Sequence, residues 1–438
     1  LRCSAAITYL GESTTFRCQV PRSDPQGLDV SPHPFIFAMK ITAIQTLRLD
    51  EFSNILWVKV HTDEGFSGLG ETFFGAKAVE AFIHETAAPK LIGRDPLQIE
   101  RIALDLVPYV GFSGTGVETR GRSAIDVALW DLFGKAVGQP VFQLLGGLAR
   151  DKIRTYNTCA GYRYVRNRPD WDTSDWGLDG SPEGPYEDLD AFINRADELA
   201  LSLIEQGITG MKIWPFDHAA KSSDGYYISN ESLDRCLDPF RKIRQAVGEK
   251  MDIMVELHSL WRLPAALQIA KALEPFNPYW YEDPVRMDSL PALAHFAKAT
   301  RVPVCASETI AGRSGYRDLI ESGAPAILMP DIVWCGGLTE AKKIATLGET
   351  YHLPVAPHDC TGPVAFMAAV HLSMNITNAL IQESVRAFYD GWYKELVTVI
   401  PTIENGWILP PSGPGLGTEL LPGLENRPDA TSIITDRP

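Results

Sequence analysis

Three stretches decide the fold: Ile253-Met254-Val255-Glu256, Tyr279-Trp280-Tyr281-Glu282, and Val302-Pro303-Val304-Cys305 running on into Ala306-Ser307-Glu308. Each is a short apolar run with a carboxylate at or just beyond its C-terminal end. Between them lie stretches with helical spacing, such as Pro264-Ala265-Ala266-Leu267-Gln268-Ile269-Ala270-Lys271-Ala272-Leu273. Outward from this centre the unit recurs about every 25 residues, with further strand candidates at 154–157, 210–213, 326–329, 354–357 and 380–382. Alternating strand and helix demands parallel pairing with right-handed crossovers, and eight such units close into a barrel. An open doubly wound sheet is the rival. It is disfavoured because no G-x-G-x-x-G follows the early strands and eight even units exceed the usual five or six. The sequence thus predicts an α/β barrel over about 151–391.

The flanks read differently. Lys40-Ile41-Thr42-Ala43-Ile44-Gln45-Thr46-Leu47 and Ile55-Leu56-Trp57-Val58-Lys59-Val60 have strand character, and Asp63-Glu64-Gly65 supplies a turn before a run ending in Glu71. Helical spacing follows over 76–91, 97–107 and 123–137, so 39–150 is expected to be an α+β unit. Residues 1–38 show no period and no apolar signal core; they read as a leader, disordered or non-native, with Met39 as the natural start. From Trp392 to 438 the chain is Pro-rich and Gly-rich, as in Pro410-Pro411-Ser412-Gly413-Pro414-Gly415, and is expected to be a tail that packs across another domain.

The 438 residues carry a formal charge of -15, and no Lys/Arg run offsets it, which argues against nucleic acid and anionic membranes as partners. No apolar stretch approaches the roughly 18 to 20 residues that span a bilayer. Seven scattered Cys without a C-x-x-C pair suggest neither a disulfide framework nor a zinc site, and fit a reducing cytoplasm.

Lys212, Glu256, Glu282, Glu308, Asp331, His358 and Glu383 stand near the C-terminal ends of the barrel strands, the end where parallel barrels place their active sites. From Glu256 onward successive members lie about 23 to 27 residues apart, so they converge on one mouth. Any one alone could be a solvated strand-end charge; seven in phase make a site. Three carboxylates on consecutive strands repel one another, and a divalent cation keeps all of them ionised. All-oxygen ligation favours Mg2+, with Mn2+ the near alternative.

The motifs Val255-Glu256-Leu257-His258, Tyr281-Glu282-Asp283-Pro284, Ser307-Glu308-Thr309, Met329-Pro330-Asp331, Pro357-His358-Asp359 and Ile381-Gln382-Glu383 resemble, in order, those of the mandelate racemase subgroup of the enolase superfamily. The resemblance implies a (β/α)7β TIM-type barrel with an N-terminal α+β capping domain completed by the C-terminal tail. It implies magnesium on Glu256, Glu282 and Glu308, and chemistry that begins with removal of a proton next to a carboxylate. His358 is then the expected base, oriented by Asp331, while Lys212 and Glu383 help to stabilise the enolate. The racemases of the subgroup resemble one another in a Lys-x-Lys pair; here the triplet is Lys212-Ile213-Trp214, so the second lysine is missing and Trp214 is a pocket wall or a core aromatic. His258 resembles the catalytic acid of galactonate dehydratases, and strand alternation is expected to put it on the face of Glu256.

The implied function is a lyase: a magnesium-dependent dehydratase that converts an aldonic or aldaric acid to a 2-keto-3-deoxy acid. Homo-oligomers, octamer or dimer, are expected from the same resemblance. With Lys212 and Trp214, the candidate substrate contacts are Asn157 at the end of the first barrel strand and Arg163 in a long loop, 162–186. Phe73, Phe74 and Tyr109 are candidates to close the other side. An epimerase, racemase or cycloisomerase on the same scaffold is the alternative; a non-catalytic binding barrel has no reason to keep the whole constellation.

Overall fold

The computed structural model describes residues 39–107, 114–166 and 186–437. The leader expected at 1–38, Tyr109 and most of the long loop lie outside the described residues. Among the described residues no helix is long and apolar enough to cross a membrane.

Three antiparallel strands open the chain: β1 (Ile41–Leu49), β2 (Ile55–Thr62) and β3 (Ser67–Phe73). Their buried face packs on the helix Val117–Val137, which begins six residues earlier than its apolar spacing suggests. The approach is close because Gly68 and Gly70 lie against the helix backbone: a Cβ on Gly70 would stand 1.9 Å from the Ala124 carbonyl oxygen. The helical run after β3 comprises α-helix Ala76–Phe82, a π-helical stretch Ile83–Ala87 and a last turn Ala88–Leu91.

The barrel strands are β4 (Ile153–Thr158), β5 (Gly210–Ile213), β6 (Asp252–Glu256), β7 (Trp280–Glu282), β8 (Val304–Ala306), β9 (Ile327–Leu328) and β10 (Gln382–Ser384), with neighbours from β4 to β9 paired in parallel. Between β9 and β10 the seventh position is held by single parallel bridges from Val355 to Leu328 and to Ala379. Pro354 and Pro357 bracket this segment and lack the N–H groups a longer ladder needs. β10 pairs in parallel with β4, so the ring of pairings closes.

Inside the ring Tyr156, Met254, Trp280, Cys305, Ile327, Ala356 and Ile381 form an apolar floor. Gly210 leaves room for it, since a Cβ there would meet Tyr156 Cβ at 2.9 Å. Two residues beyond most floor positions the strands return to the same side, now at the mouth: Thr158, Lys212, Glu256, Glu282, His358 and Glu383. The period of two thus lifts a polar layer directly above an apolar one.

The tail serves both units. Strands β11 (Ile403–Glu404) and β12 (Trp407–Ile408) form a hairpin whose second arm pairs with β4, and β13 (Ala430–Thr435) joins the first sheet antiparallel to β1. Between them the Leu416 backbone N–H donates to Asp131 and its carbonyl faces His371 Nε2. The first unit is also tied to the barrel by Glu71, which accepts from Trp57 and from the N–H groups of Val364 and Ala365 at the start of helix Pro363–Asn375. This anchor, with Trp334 Nε1 donating to the Phe73 carbonyl, carries Phe73 and Phe74 to the barrel mouth.

Candidate active site

Glu256 and Glu282 end β6 and β7, and Glu308 follows β8 by two residues. One carboxylate oxygen from each lies within 4.8 Å of the others. The first two are at most 2% exposed. Burial pushes Glu256 up to about 7; burial and Glu256 together push Glu282 well above the usual carboxylate range. Burial works to raise Glu308 too, but the charges of His358, Lys212 and His258 hold it down at about 2. Three converging all-oxygen donors, two of them buried and Glu308 half-buried, fit a hard divalent cation, and the cluster could hold one.

Lys212, on β5, is the cationic counterweight. Its Nζ lies 2.6 Å from Glu282, 2.7 Å from Glu383 and 3.6 Å from Glu256. Burial disfavours the ammonium, yet Glu282 and Glu383 outweigh that and raise the Lys212 pKa well above its ordinary value. Glu383 also accepts from the Thr158 hydroxyl and, at 2.7 Å, from the Asp359 backbone N–H, so both its oxygens are fixed.

His358 lies between two acids. Its Nδ1 is 2.7 Å from Asp331 Oδ2 and its Nε2 2.8 Å from Glu308 Oε2. Burial opposes the imidazolium, but Glu308 and Glu383 prevail and raise its pKa well above 6.5. Asp331 has a second task, accepting from the Val333 N–H at 2.8 Å to cap the helix Ile332–Cys335.

His258 reaches the same cavity by a different route from strand alternation. β6 ends at Glu256, and the chain turns through positive φ at His258 (+47°) and Ser259 (+57°). The turn is held by the His258 N–H, which donates to Glu256 Oε1 at 2.6 Å. Its Nδ1 lies 2.7 Å from Asp217 Oδ2. Burial disfavours its charged form, and Asp217 more than compensates, so its pKa is raised. The pairing with Asp217 is invisible to motif reading because Asp217 lies at the start of a short helix, 41 residues away and out of phase with the strand ends.

A small cavity lies among these groups. Lys212, His258, Glu308 and His358 line one part; Phe73, Phe74, Tyr164, Trp214 and Trp334 form an aromatic wall. Trp214 is both wall and core: it lines the cavity, meets His258 edge-on at 5.7 Å and packs on Phe192. Among the described residues its buried indole Nε1 has no hydrogen-bond partner.

Two expected substrate contacts are not brought to the cavity. Asn157 is fully buried, where its amide donates to Asp188 and its oxygen accepts from the Arg386 N–H, while Arg386 grips Asp188 with two nitrogens. The side chain of Asn157 is spent on tying β4 to β10 and the helix Asp188–Asn194. Arg163 is not among the cavity-lining side chains, and its charge acts on Glu187. Asp283, next to Glu282 in the chain, is buried and accepts from the Ser307 hydroxyl at 2.7 Å.

Residues 195–423 match the family model described as enolase C-terminal domain-like, and residues 32–146 match the mandelate racemase / muconate lactonizing enzyme N-terminal domain. A D-galactonate dehydratase of Ralstonia nicotianae is 32% identical over 87% of this chain and 92% of its own length; one of Pectobacterium atrosepticum is 32% identical over 89% and 96%. Among solved structures, an enolase of the mandelate racemase subgroup from Agrobacterium tumefaciens is 53% identical, with a TM-score of 0.81, covering 91% of this chain and 99% of that one. An enolase protein from Sargasso Sea environmental sequence is 42% identical, also with a TM-score of 0.81, covering 91% and 100%. An N-terminal capping domain followed by a barrel is the fold of these relatives, and this chain belongs to the mandelate racemase / muconate lactonizing enzyme family of the enolase superfamily.

Proposed function

We propose that this protein is a magnesium-dependent acid-sugar dehydratase that removes the C2 proton of an aldonic or aldaric acid and expels the 3-hydroxyl as water. The observation that carries this reading is the presence of two imidazoles, His358 and His258, on one cavity beside Glu308 of the carboxylate cluster. A β-elimination needs one group to take a proton and another to give one. His358, held by Asp331, takes the C2 proton. His258 gives its proton to the departing hydroxyl, the C3–O bond breaks, and the enol that remains tautomerises to a 2-keto-3-deoxy acid. Lys212 faces the charge that develops on the substrate carboxylate, and Glu383 holds Lys212 in place.

Glu256, Glu282 and Glu308 would hold the magnesium ion, whose all-oxygen ligation suits it. When bound, the ion supplies positive charge against the substrate carboxylate as the C2 proton leaves. The Trp214 N–H, which has no partner among the described residues and belongs to a residue that lines the cavity, is a donor that a substrate hydroxyl would satisfy. A racemase built on a second lysine finds Trp214 where that lysine would stand.

Incubation of magnesium-loaded protein with a panel of aldonic and aldaric acids tests the proposal. At least one acid should yield a 2-keto-3-deoxy product, and EDTA should stop the reaction. A panel that shows only epimerised acids, or turnover that survives exhaustive chelation, would overturn it.

A further inference from the structure

The dehydratase reading assigns His258 a proton to donate but leaves open what aims it. Asp217 stands behind the ring. It is fully buried at the start of the helix Asp217–Lys221, which follows β5 after Trp214-Pro215-Phe216. Its Oδ2 lies 2.7 Å from His258 Nδ1, the same separation as between Asp331 and His358. The imidazole is therefore fixed on three sides: by Asp217 at Nδ1, by the edge-on ring of Trp214, and by its own backbone N–H bonded to Glu256.

We propose that Asp217 is a positioning residue for His258, so that the site contains two His–Asp pairs, one for each proton of the elimination. With Nδ1 committed to Asp217, Nε2 is the nitrogen through which His258 serves the cavity it lines. The Asp217 carboxylate fixes the tautomer and the ring rotation, and it balances the charge of the imidazolium before the proton leaves. The step is a simple transfer: the Nε2–H bond breaks, an O–H bond forms on the departing 3-hydroxyl, the C3–O bond breaks and water departs. A neutral imidazole remains against Asp217. A purely structural role, an acidic residue in the first turn of a short helix, predicts a different outcome because it has no connection to one proton rather than the other.

The inference rests on the dehydratase reading, and two measurements on the magnesium-loaded protein separate them. In deuterium oxide with a substrate acid, Asp217→Asn should slow dehydration on the order of 100-fold, with little change in KM, while C2 exchange stays within about twofold of wild type. Adding Asp217→Asn to His258→Asn should cost almost nothing further, because the two act as one unit. Wild-type dehydration by Asp217→Asn, or equal loss of exchange and dehydration, would overturn the proposal. The second measurement needs no substrate. In ¹⁵N-histidine NMR, the resonance that vanishes in His258→Asn should show a protonated, strongly hydrogen-bonded Nδ1 in wild type and lose that signature in Asp217→Asn. An unchanged signature refutes the pairing even if no acid sugar is ever turned over; failure of every acid sugar with the signature intact refutes only the functional reading.

Discussion

Replacement of Lys212 by methionine removes one buried charge and tests how the mouth is balanced. The ammonium has three carboxylate neighbours, at 2.6, 2.7 and 3.6 Å, and its side chain is 3% exposed. Methionine fills much of the stem's volume, so the loss is electrostatic rather than a cavity. Removing one partner of a buried pair costs about 3–5 kcal/mol because the other charge is left in a dry site. With about 2.1 cal/mol/K of unfolding entropy per residue, 438 residues give about 0.9 kcal/mol/K, so that cost lowers the melting temperature by roughly 3–5 °C. Scanning calorimetry in EDTA should show this fall. Saturating magnesium should recover part of it, since a cation on Glu256 and Glu282 restores positive charge to two of the three carboxylates, but activity should not return. A variant that melts within 1 °C of wild type in EDTA would refute the counter-ion role of Lys212.

Glu282→Gln removes one anionic donor while nearly preserving shape, so calorimetric titration should show magnesium affinity reduced at least tenfold; wild-type affinity would count against the ligand set. In wild type, magnesium at 100 times its Kd should stabilise the protein by about 2.7 kcal/mol, about 3 °C by the same conversion, and a tenfold weaker Glu282→Gln should keep only about half of that shift at equal metal concentration. His371, buried between the Phe142 N–H and the Leu416 carbonyl, has its pKa lowered to about 4 by burial. Its unfolded value is near 6.5, so between those pH values the unfolded chain binds the extra proton. The stability it contributes is present above pH 6.5 and falls by about 3 kcal/mol as pH drops to 4. His371→Gln should therefore narrow its stability gap to wild type across that window; a constant gap would rule out the linkage. Gly337 has φ +88°, and a Cβ there would stand 2.3–2.5 Å from Asp126. Gly337→Ala should lower the melting temperature by several degrees by disturbing the Asp126–Thr339 contact between the two units, and an unchanged melt would contradict that packing.

The barrel was legible because its strands repeat at a nearly constant interval and each ends in a residue too polar for an apolar run. That phase picked out Glu256, Glu282, Glu308, Asp331, His358 and Glu383 together, and one unit of the pattern was enough to locate the next. Residues without a phase were not legible. Asp217 starts a helix, Glu71 lies within a capping strand, and Asp188 sits after a long loop; their bonds to His258, to the Val364 and Ala365 N–H groups and to Arg386 form only once the chain is folded. Asn157 was misread for the same reason in reverse. It stands one residue from Thr158, whose hydroxyl reaches Glu383, and the period of two turns the Asn157 side chain outward to Asp188 and Arg386. His258 came to the cavity through a left-handed turn rather than by alternation, and no spacing rule encodes such a turn at a non-glycine residue. The C-terminal tail showed its composition but not its registers, since β12 and β13 pair with strands hundreds of residues away.

The central claim, that one imidazole opens the reaction by taking the C2 proton, is tested most directly by His358→Asn in deuterium oxide. Magnesium-loaded wild type and variant are incubated with the same acid sugar, and proton NMR follows deuterium entry at C2 together with 2-keto-3-deoxy product. Wild type should form product, and His358→Asn should lose both exchange and dehydration because no other group on the cavity takes that proton. If folded, metal-loaded His358→Asn exchanges and dehydrates at the wild-type rate, His358 is not the base and the proposed mechanism is wrong.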